Sequence, residues 1–457
     1  MPQPEPTPAE RLADAARGRE EAMRLHRFYQ GKVQMCLKAP VRGLDDFGLW
    51  YTPGVAEPCL AIARDPAEVF ELTNRGNTVA IVSDGTRVLG LGDIGPEAAL
   101  PVMEGKAMIF KVLGGVDAIP IVLGTKDPDE LIRTVLVLQP GFGGINLEDL
   151  AQPKCFRILE TLRRMSEIPV WHDDQQGTAT VMLAALLNAL RVVGKDLADV
   201  RIAFIGTGAS NVACSRLIFS AGLPPEQAIL VDSQGILGRE RQDLYRRRAE
   251  YVEKWRLCET TNAEGRTGGI PEAMEGMDVV IALSHPGPDV LHREWVQAMG
   301  REAIVFACAN PTPEIWPWEA RAGGAAIVAT GRSDFPNQVN NSLGFPGIFR
   351  GALDSRARTI TDGMCLAAAR ALADRAIEEG LTSDHILPTM EDWQVFAREA
   401  AAVAEQARVE GVAGRPLSYE QELASATETI RRARDTARAM YEAGLIAAVP
   451  GEALPTA

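Results

Sequence analysis

The chain has 457 residues, 46% of them apolar, and 47 Lys and Arg against 61 Asp and Glu give it a formal charge of −14. At about 150 residues per domain, this length predicts two or three domains that each bury a core. Such an acidic chain argues against nucleic acid or an anionic membrane as its main partner, because both attract basic patches. None of the five His has the spacing of a zinc site, which argues against a His-based metal centre.

Cysteine usage and hydropathy favour a soluble, cytoplasmic protein that does not enter a membrane. The seven cysteines include no C-x-x-C pair, and several lie in apolar runs, so we expect them to be reduced and mostly buried. The first 23 residues lack the apolar segment of a signal peptide and the Arg-rich, acid-poor bias of a transit peptide. The longest apolar stretch, residues 181–193, is shorter than a membrane span.

The first half of the chain alternates helical and strand patterns. After one or two amphipathic helices predicted over residues 8–35, β-branched runs predict strands at 78–83, 118–123 and 168–172. Apolar residues at helical spacing predict helices at 100–113, 128–138, 153–165 and 177–193. This alternation indicates an α/β layer around a largely parallel sheet.

A second series of strand patterns predicts a doubly wound, Rossmann-like domain. Five buried strands separated by helical segments are expected at 201–205, 228–231, 278–283, 303–308 and 325–329. From about residue 350 onward, segments rich in Ala, Arg and Glu predict packing helices. We therefore predict N-terminal helices at 1–38, a catalytic α/β domain at 39–180, a Rossmann-like domain at 181–350 and a C-terminal helical region at 351–457.

A glycine-rich loop follows the first strand of this second series and predicts a dinucleotide site. Its residues are Gly206, Thr207, Gly208, Ala209, Ser210 and Asn211. The two glycines permit a tight turn and a close approach of pyrophosphate to the helix N-terminus, and an asparagine replaces the third glycine of the usual fingerprint. Asp232 ends the next strand, where a carboxylate binds a ribose 2′-hydroxyl and repels a 2′-phosphate. This favours NAD over NADP, with Arg239 nearby as the opposing signal; the alternative is an ordinary glycine turn.

Two pairs of acidic residues in the first half predict a metal site. Glu148 and Asp149 end the segment GFGGINLED, and Asp173 and Asp174 follow the predicted strand IPVWH. Each pair alone is equally consistent with helix capping. Together they offer three or four carboxylates without His, a set that suits Mg²⁺ or Mn²⁺ rather than zinc.

Three further side chains in the first half are candidates for chemistry. Lys106 lies inside an apolar helical stretch, so it either extends to solvent or serves as an amine whose pKa must fall by about three units to be neutral near neutral pH. Arg87 lies in a glycine-rich loop after the strand 78–83 and is a candidate carboxylate clamp. Tyr51 precedes a Thr-Pro turn and by itself is typical of a packing aromatic.

Three asparagines follow strands of the second series. Asn310 comes directly after the strand 303–308, and Asn340 and Asn341 lie beyond the strand 325–329. Asparagine is common in turns, but its amide also binds hydroxyls, carboxylates or a nicotinamide amide. Their position at the same sheet edge as the glycine loop favours contact with a ligand.

With these residues assembled, the chain closely resembles the malic enzymes, in particular the shorter prokaryotic type, over roughly residues 25–380. The shared segments are YTPGVAEP, DGTRVLGLGDIGP, PVMEGKAMIFK, GGINLEDL, HDDQQGTA, ANPTPEIWP and TGRSDFPNQVNN followed by FPGIFRGA. The resemblance implies that Tyr51 is the general acid, Lys106 the general base and Asp173 a carboxylate that supports it. It likewise implies the metal ligands, which are Glu148, Asp149 and Asp174.

The resemblance also implies substrate, cofactor and assembly. Asn310 and Asn341, with Arg87 as a carboxylate clamp, would contact L-malate, and Asn310 and Asn340 would lie near the cofactor. The implied reaction is divalent-metal-dependent oxidative decarboxylation of L-malate to pyruvate and CO₂ with NAD, or NADP, in a homodimer or higher homo-oligomer. Two alternatives stay open, a metal-independent amino-acid dehydrogenase and a catalytically silent NAD-sensing protein.

Overall fold

The computed structural model describes residues 7–449, which contain two parallel-stranded sheets. The first sheet has four strands, β1 Thr78–Ser83, β2 Asp117–Val122, β3 Gly144–Leu147 and β4 Val170–His172. The second has six, β5 Ile202–Ile205, β6 Ala228–Asp232, β7 Gly235–Ile236, β8 Val279–Ala282, β9 Ala303–Ala307 and β10 Ala325–Thr330. The predicted α/β class with a Rossmann-like domain is confirmed.

Helices cover both sheets and supply most of the C-terminal third. Those that precede β4 in the chain are α1 Pro8–Tyr29, α2 Leu44–Trp50, α3 Ala56–Arg64, α4 Val69–Leu72, α5 Pro96–Gly114, α6 Pro128–Leu138 and α7 Lys154–Met165. Those that follow are α8 Thr178–Val193, α9 Ala209–Ala221, α10 Gln242–Arg246, α11 Val252–Thr260, α12 Ile270–Met274, α13 Arg293–Gln297 and α14 Pro317–Ala322. The last four are α15 Phe345–Asp354, α16 Asp362–Glu379, α17 Gln394–Val409 and α18 Tyr419–Glu442.

The first sheet has the order β2-β1-β3-β4 with every pair parallel. All six residues of β1 are buried, as expected for a strand with neighbours on both sides and helices on both faces. Since the strands are parallel, the residues after β1, β3 and β4 meet at one edge of the sheet. These residues begin at Asp84, Glu148 and Asp173.

The second sheet has the order β10-β9-β8-β5-β6-β7, in which only the two-residue β7 is antiparallel. Strand β5 lies between β6 and β8. The chain continues from β5 to β6 on one side and then crosses to β8 on the other side of β5, so the order of the strands reverses at this point. Such a switch point opens a crevice at the carboxyl ends of the strands, where dinucleotides bind in doubly wound sheets. The glycine loop 206–208 begins at this crevice.

Aromatic packing connects the first sheet to the C-terminal helices. The ring of Phe110 on α5 lies 4.6 Å from that of Phe345 and 5.2 Å from that of Phe349, both on α15. Trp171 on β4 contacts Phe349 in turn, with ring centroids 6.3 Å apart. All four side chains are fully buried, so α15 is part of the core that supports the first sheet.

One helical segment among the described residues, Asp173–Val193, is long and apolar enough to cross a membrane by length and composition. This corrects the prediction that the stretch is too short, because the helical residues begin well before position 181. Since 72% of its most apolar window is buried inside the protein, it is a core helix. All seven cysteines are free, with Cys36 and Cys59 exposed and the other five buried as expected.

Candidate active site

A cavity of about 840 Å³ lies between the carboxyl edges of the two sheets. The first sheet and α5 line it with Arg87, Lys106, Glu148, Asp149 and Asp174. The second sheet and its loops line it with Gly206, Thr207, Gly208, Ala209, Ser210, Asp232, Asn310, Asn340 and Asn341. The two sets of predicted side chains therefore share one cavity.

Three predicted metal ligands converge in this cavity. Glu148, Asp149 and Asp174 each place a carboxylate oxygen within 4.8 Å of the other two. Glu148 and Asp149 follow β3, and Asp174 lies in a single π-helical turn, residues 173–177, that joins β4 to α8. Turns of this kind are frequent at functional sites, because they redirect side chains at the start of a helix.

Asp149 has two features that suit a cation ligand. Its φ of 56° places a non-glycine residue in the left-handed region, which costs about 1–3 kcal/mol and is typical of functional sites. Its Oδ2 is buried without a hydrogen-bond partner among the described residues. Burial, followed by the neighbouring Asp174, raises the pKa of Asp149 to about 8. An oxygen-only donor set with an unpartnered buried oxygen fits Mg²⁺ or Mn²⁺.

Buried polar groups behind the ligands hold them in place. The Asn146 amide donates a hydrogen bond of 2.9 Å to Glu148 Oε2. The amide N–H of Asp149 donates to Asp174 Oδ2 at 2.9 Å, and His172 Nε2 lies 3.1 Å from the same oxygen. Asn146 and His172 are fully buried, and the sequence analysis missed both, although each lies within two residues of a predicted ligand.

Lys106 occupies the buried face of α5 because Met103, Ala107 and Phe110 share that face at helical spacing. Its Nζ lies 2.7 Å from Glu148 Oε1, contacts Asp173 Oδ2, and lies 4.5 Å from the centre of the Phe345 ring. The side chain therefore does not extend to solvent.

The carboxylates beside Lys106 oppose the fall in its pKa that a neutral amine at this position requires. Burial lowers that pKa, but the charges of Asp173 and Glu148 together outweigh burial and raise it above its ordinary value. Burial also raises the pKa of Asp173, which accepts a second hydrogen bond from Trp171 Nε1 at 3.1 Å. Lys106 and Asp173 are thus a buried, hydrogen-bonded ion pair.

Of the three predicted catalytic residues, Lys106 lines the cavity, Asp173 contacts Lys106 behind the cavity wall, and Tyr51 lies away from the cavity. Its side chain is 70% exposed at the end of α2 and is not among the cavity-lining residues. Arg87 does line the cavity, and its backbone N–H donates to Asp149 O at 3.0 Å. The segment before α2 supplies a lining residue that sequence reasoning missed, Lys32, whose Nζ donates to Pro101 O at 2.7 Å.

The three asparagines lie at the cavity in different settings. Asn310 precedes a cis proline, and its position after β9 places it at the crevice of the second sheet. Asn340 Oδ1 accepts the Ser342 N–H at 2.9 Å, so it caps the short helical turn 341–343. Asn341 packs close to Gly177, where an added Cβ would lie 3.3 Å from the asparagine Cβ. Asn341 therefore sits directly beside the π-helical turn that carries Asp174.

The glycine loop has the predicted backbone geometry. Gly206 has a φ of +89°, and a Cβ there would lie 2.8 Å from Leu283 O, so only glycine fits. Asn211 points away from the cavity and is fully buried, with its amide donating to Ile205 O at 2.9 Å and Gly206 O at 2.8 Å. The asparagine that replaces the third glycine thus fixes the loop to its strand.

Residues 30–163 match the family described as malic enzyme, N-terminal domain, and residues 175–408 match malic enzyme, NAD binding domain. The chain belongs to the malic enzyme family. The family assignment agrees with the resemblance found in the sequence and with the two lobes that line the cavity.

Named relatives in the family use either dinucleotide. The chain is 49% identical to the NAD-dependent malic enzyme of Geobacillus stearothermophilus, over 84% of this chain and 78% of the relative. It is 42% identical to the NADP-dependent malic enzyme of Halomonas elongata, over 84% of this chain and 92% of the relative. The crystal structure of Entamoeba histolytica malic enzyme matches with a TM-score of 0.94 and 47% identity, covering 98% of this chain and 93% of that one. The malic enzyme fold is therefore shared along nearly the whole chain.

Proposed function

We propose that this member of the malic enzyme family carries out divalent-metal-dependent oxidative decarboxylation of L-malate to pyruvate and CO₂ with a nicotinamide dinucleotide. One observation carries the proposal. A cavity joins three convergent carboxylates and a buried lysine on one side to a glycine loop at a Rossmann switch point on the other. Neither an amino-acid dehydrogenase without metal nor a silent NAD-binding protein requires this carboxylate cluster.

The cavity residues divide the reaction between them. Gly206 and the loop that follows it would hold the dinucleotide, which would supply the acceptor for the C2 hydride of malate. Glu148, Asp149 and Asp174 would hold the cation, which would supply a Lewis acid for the substrate oxygens. Lys106 passes its proton to Asp173 and then accepts the proton of the C2 hydroxyl. Loss of CO₂ from the resulting ketone leaves the enolate of pyruvate, whose C3 takes a proton from Tyr51.

The substrate carboxylates have matching partners at the cavity wall. Arg87 offers a guanidinium that forms paired hydrogen bonds with a carboxylate, and Asn310 and Asn341 offer neutral amides. Lys32 adds a second cation on the same wall. These cations oppose the acidic cluster, which explains how a chain with net charge −14 accommodates a dicarboxylate.

Because Tyr51 lies outside the cavity of its own chain, we propose a homodimer in which it acts in the partner's cavity. The residues that precede Tyr51 in the chain include several large, exposed apolar side chains. They are Met35, Leu37, Leu44, Leu49 and Trp50, of which Met35 is 96% and Leu44 86% exposed. Apolar patches of this kind mark interaction surfaces in soluble proteins.

Mixing two inactive variants tests the homodimer. Tyr51→Phe and Lys106→Ala are purified separately, combined under conditions that exchange subunits, and assayed for pyruvate. A mixed dimer has one site with Lys106 from one subunit and Tyr51 from the other, so pyruvate formation returns. If both residues act within one chain, the mixture stays as inactive as its parts.

The activity itself is tested with a substrate panel and a chelator. The purified chain is assayed for reduction of NAD and NADP with L-malate and with neutral and acidic L-amino acids, with Mn²⁺ and with EDTA. We expect reduction with malate alone, lost in EDTA and restored by excess Mn²⁺. Activity that survives EDTA, or that prefers an amino acid, favours the dehydrogenase alternative, and dinucleotide binding without turnover favours the silent protein.

We propose a cytoplasmic location because the cysteines are free thiols. Cys36 and Cys59 are exposed and free, and the other five are buried without a disulfide. Exposed thiols without bridges suit a reducing compartment.

A further inference from the structure

Asp232, the residue expected to discriminate against a 2′-phosphate, is not a free carboxylate. Arg241 approaches both of its oxygens, with Nη1 3.0 Å from Oδ1 and Nη2 3.2 Å from Oδ2. The backbone N–H of Gln234 donates to Oδ1 at 2.9 Å. The side chain of Asp232 is 8% exposed. Its charge and much of its hydrogen-bonding capacity are therefore already used within the protein.

A second cation stands beside Asp232 and faces the cavity. Lys254, in the first turn of α11, lines the cavity together with Asp232 and Ser233. Among the described residues its ammonium makes one hydrogen bond, to Asp232 Oδ2, at a long 3.4 Å. A lysine ammonium has three donors, so Lys254 keeps donors for a ligand at this position.

The basic residue that sequence reasoning singled out lies elsewhere. The guanidinium of Arg239 donates to Glu259 O at 2.9 Å, and Arg239 is not among the cavity-lining residues. Arg241 stands behind Asp232 and is shared with Asp243, whose Oδ2 lies 2.7 Å from Nη2. The four groups Asp232, Asp243, Arg241 and Lys254 sum to zero charge, and Lys254 is the cation on the cavity side.

We propose that Lys254 binds the 2′-phosphate of NADP, so that this site accepts NADP as well as NAD. This rests on the proposed dinucleotide site and adds its specificity. In a Rossmann domain the carboxyl end of the second strand, here β6 at Asp232, lies at the adenosine ribose. A phosphate at that position meets an ammonium in front of a carboxylate with which Arg241 already pairs. With NAD, Lys254 remains beside Asp232.

Nucleotide fragments test the proposal without turnover. Titration calorimetry compares adenosine 2′,5′-bisphosphate with 5′-AMP, which differ by the 2′-phosphate alone. We expect the wild-type chain to bind the bisphosphate at least tenfold more tightly, a difference of about 1.4 kcal/mol. Lys254→Met should remove this preference while leaving the affinity for 5′-AMP within about twofold, and Lys254→Arg should retain it.

Arg239→Met is the matched control, because it removes a nearby cation outside the cavity and should leave both affinities unchanged. The proposal is overturned if the wild-type chain does not prefer the bisphosphate, if Lys254→Met keeps the preference, or if Arg239→Met abolishes it. If the wild-type chain binds neither nucleotide, the proposed dinucleotide site itself is rejected. Binding of 5′-AMP therefore separates a failure of this inference from a failure of the proposed function.

Discussion

Replacing Asn146 with alanine tests whether the carboxylate cluster is built to hold a cation. Asn146 is fully buried in the middle of β3, and its amide donates to Glu148 Oε2 at 2.9 Å. The other oxygen, Oε1, is fixed by Lys106 at 2.7 Å. Without the amide, Glu148 keeps one restraint and can rotate away from Asp149 and Asp174.

The size of the effect follows from the type of bond that is lost. A hydrogen bond to a charged group contributes about 1.5–3 kcal/mol, which corresponds to roughly 10- to 100-fold in an equilibrium constant. Removing a group that orients a metal ligand costs a similar factor in affinity. We expect Asn146→Ala to weaken Mn²⁺ binding by about 10- to 100-fold and to recover much of its activity at saturating Mn²⁺.

Asn188→Ala provides the matched control. Asn188 is also fully buried, and its amide donates to Ala373 O and Ile386 O at 2.9 Å, away from the carboxylates. Both variants should lose stability in urea, but only Asn146→Ala should weaken Mn²⁺ binding in calorimetry. An unchanged Mn²⁺ affinity in Asn146→Ala, or an equal loss of Mn²⁺ affinity in both variants, would contradict this role of Asn146.

Three further predictions follow from single buried positions. Lys106→Ala should abolish malate oxidation in a steady-state assay while the dinucleotide still binds in calorimetry, because Lys106 lies on the side of the cavity opposite the glycine loop. Gly206→Ala should weaken dinucleotide binding at least tenfold, since its Cβ would meet backbone at 2.8 Å. Glu399→Met should stabilise the fold against urea, because both oxygens of this fully buried carboxyl lack a hydrogen-bond partner among the described residues. The gain should grow from pH 6 to pH 8.

The pH dependence of Glu399 has a definite sign. Burial raises its pKa well above the ordinary value, so the folded state holds a proton that the unfolded chain releases above about pH 4.3. Wild-type stability therefore falls by about 1.4 kcal/mol per pH unit until the folded pKa is passed, and the methionine variant lacks this loss. A gain that is constant with pH would contradict this assignment. Normal turnover in Lys106→Ala would contradict the prediction for Lys106, and normal dinucleotide affinity in Gly206→Ala would contradict the prediction for Gly206.

The sequence predicted most strands because buried parallel strands are continuous β-branched runs. Strand β1 begins and ends as predicted, at 78 and 83, whereas β3 was missed. Strand β3 has four residues, Gly144–Leu147, and the polar Asn146 interrupts its apolar pattern. The amide of this asparagine binds Glu148, so the strand lacks the continuous apolar run from which the other strands were predicted. The domain boundaries stay predictions. Helix α8, Thr178–Val193, crosses the boundary proposed at residue 180.

The candidate site was predictable where it depends on strand ends and unpredictable where it depends on distant contacts. Parallel strands bring Glu148, Asp149 and Asp174 to one edge, and this follows from their places after β3 and β4. The raised pKa of Lys106 depends on Asp173, 67 positions later in the chain. The pairing of Asp232 with Arg241 likewise required the fold of the loop that follows β7.

The outcome for Tyr51 shows a different limit. Its motif predicts catalysis, yet one chain leaves the side chain 70% exposed and away from the cavity. Exposure is not encoded in local pattern, because an aromatic beside Trp50 and Leu49 is equally typical of a core. Only the fold distinguishes a buried packing residue from an exposed one.

A single reaction that measures both the released carbon and the transferred hydride tests the proposed oxidative decarboxylation of malate. L-malate labelled at C4 is supplied with Mn²⁺ and NAD or NADP, and labelled CO₂, pyruvate and reduced dinucleotide are measured in one reaction. We expect equal amounts of all three, and none of them in EDTA. Reduced dinucleotide without labelled CO₂, or product formation that persists in EDTA, would contradict a cavity that couples a cation to a dinucleotide.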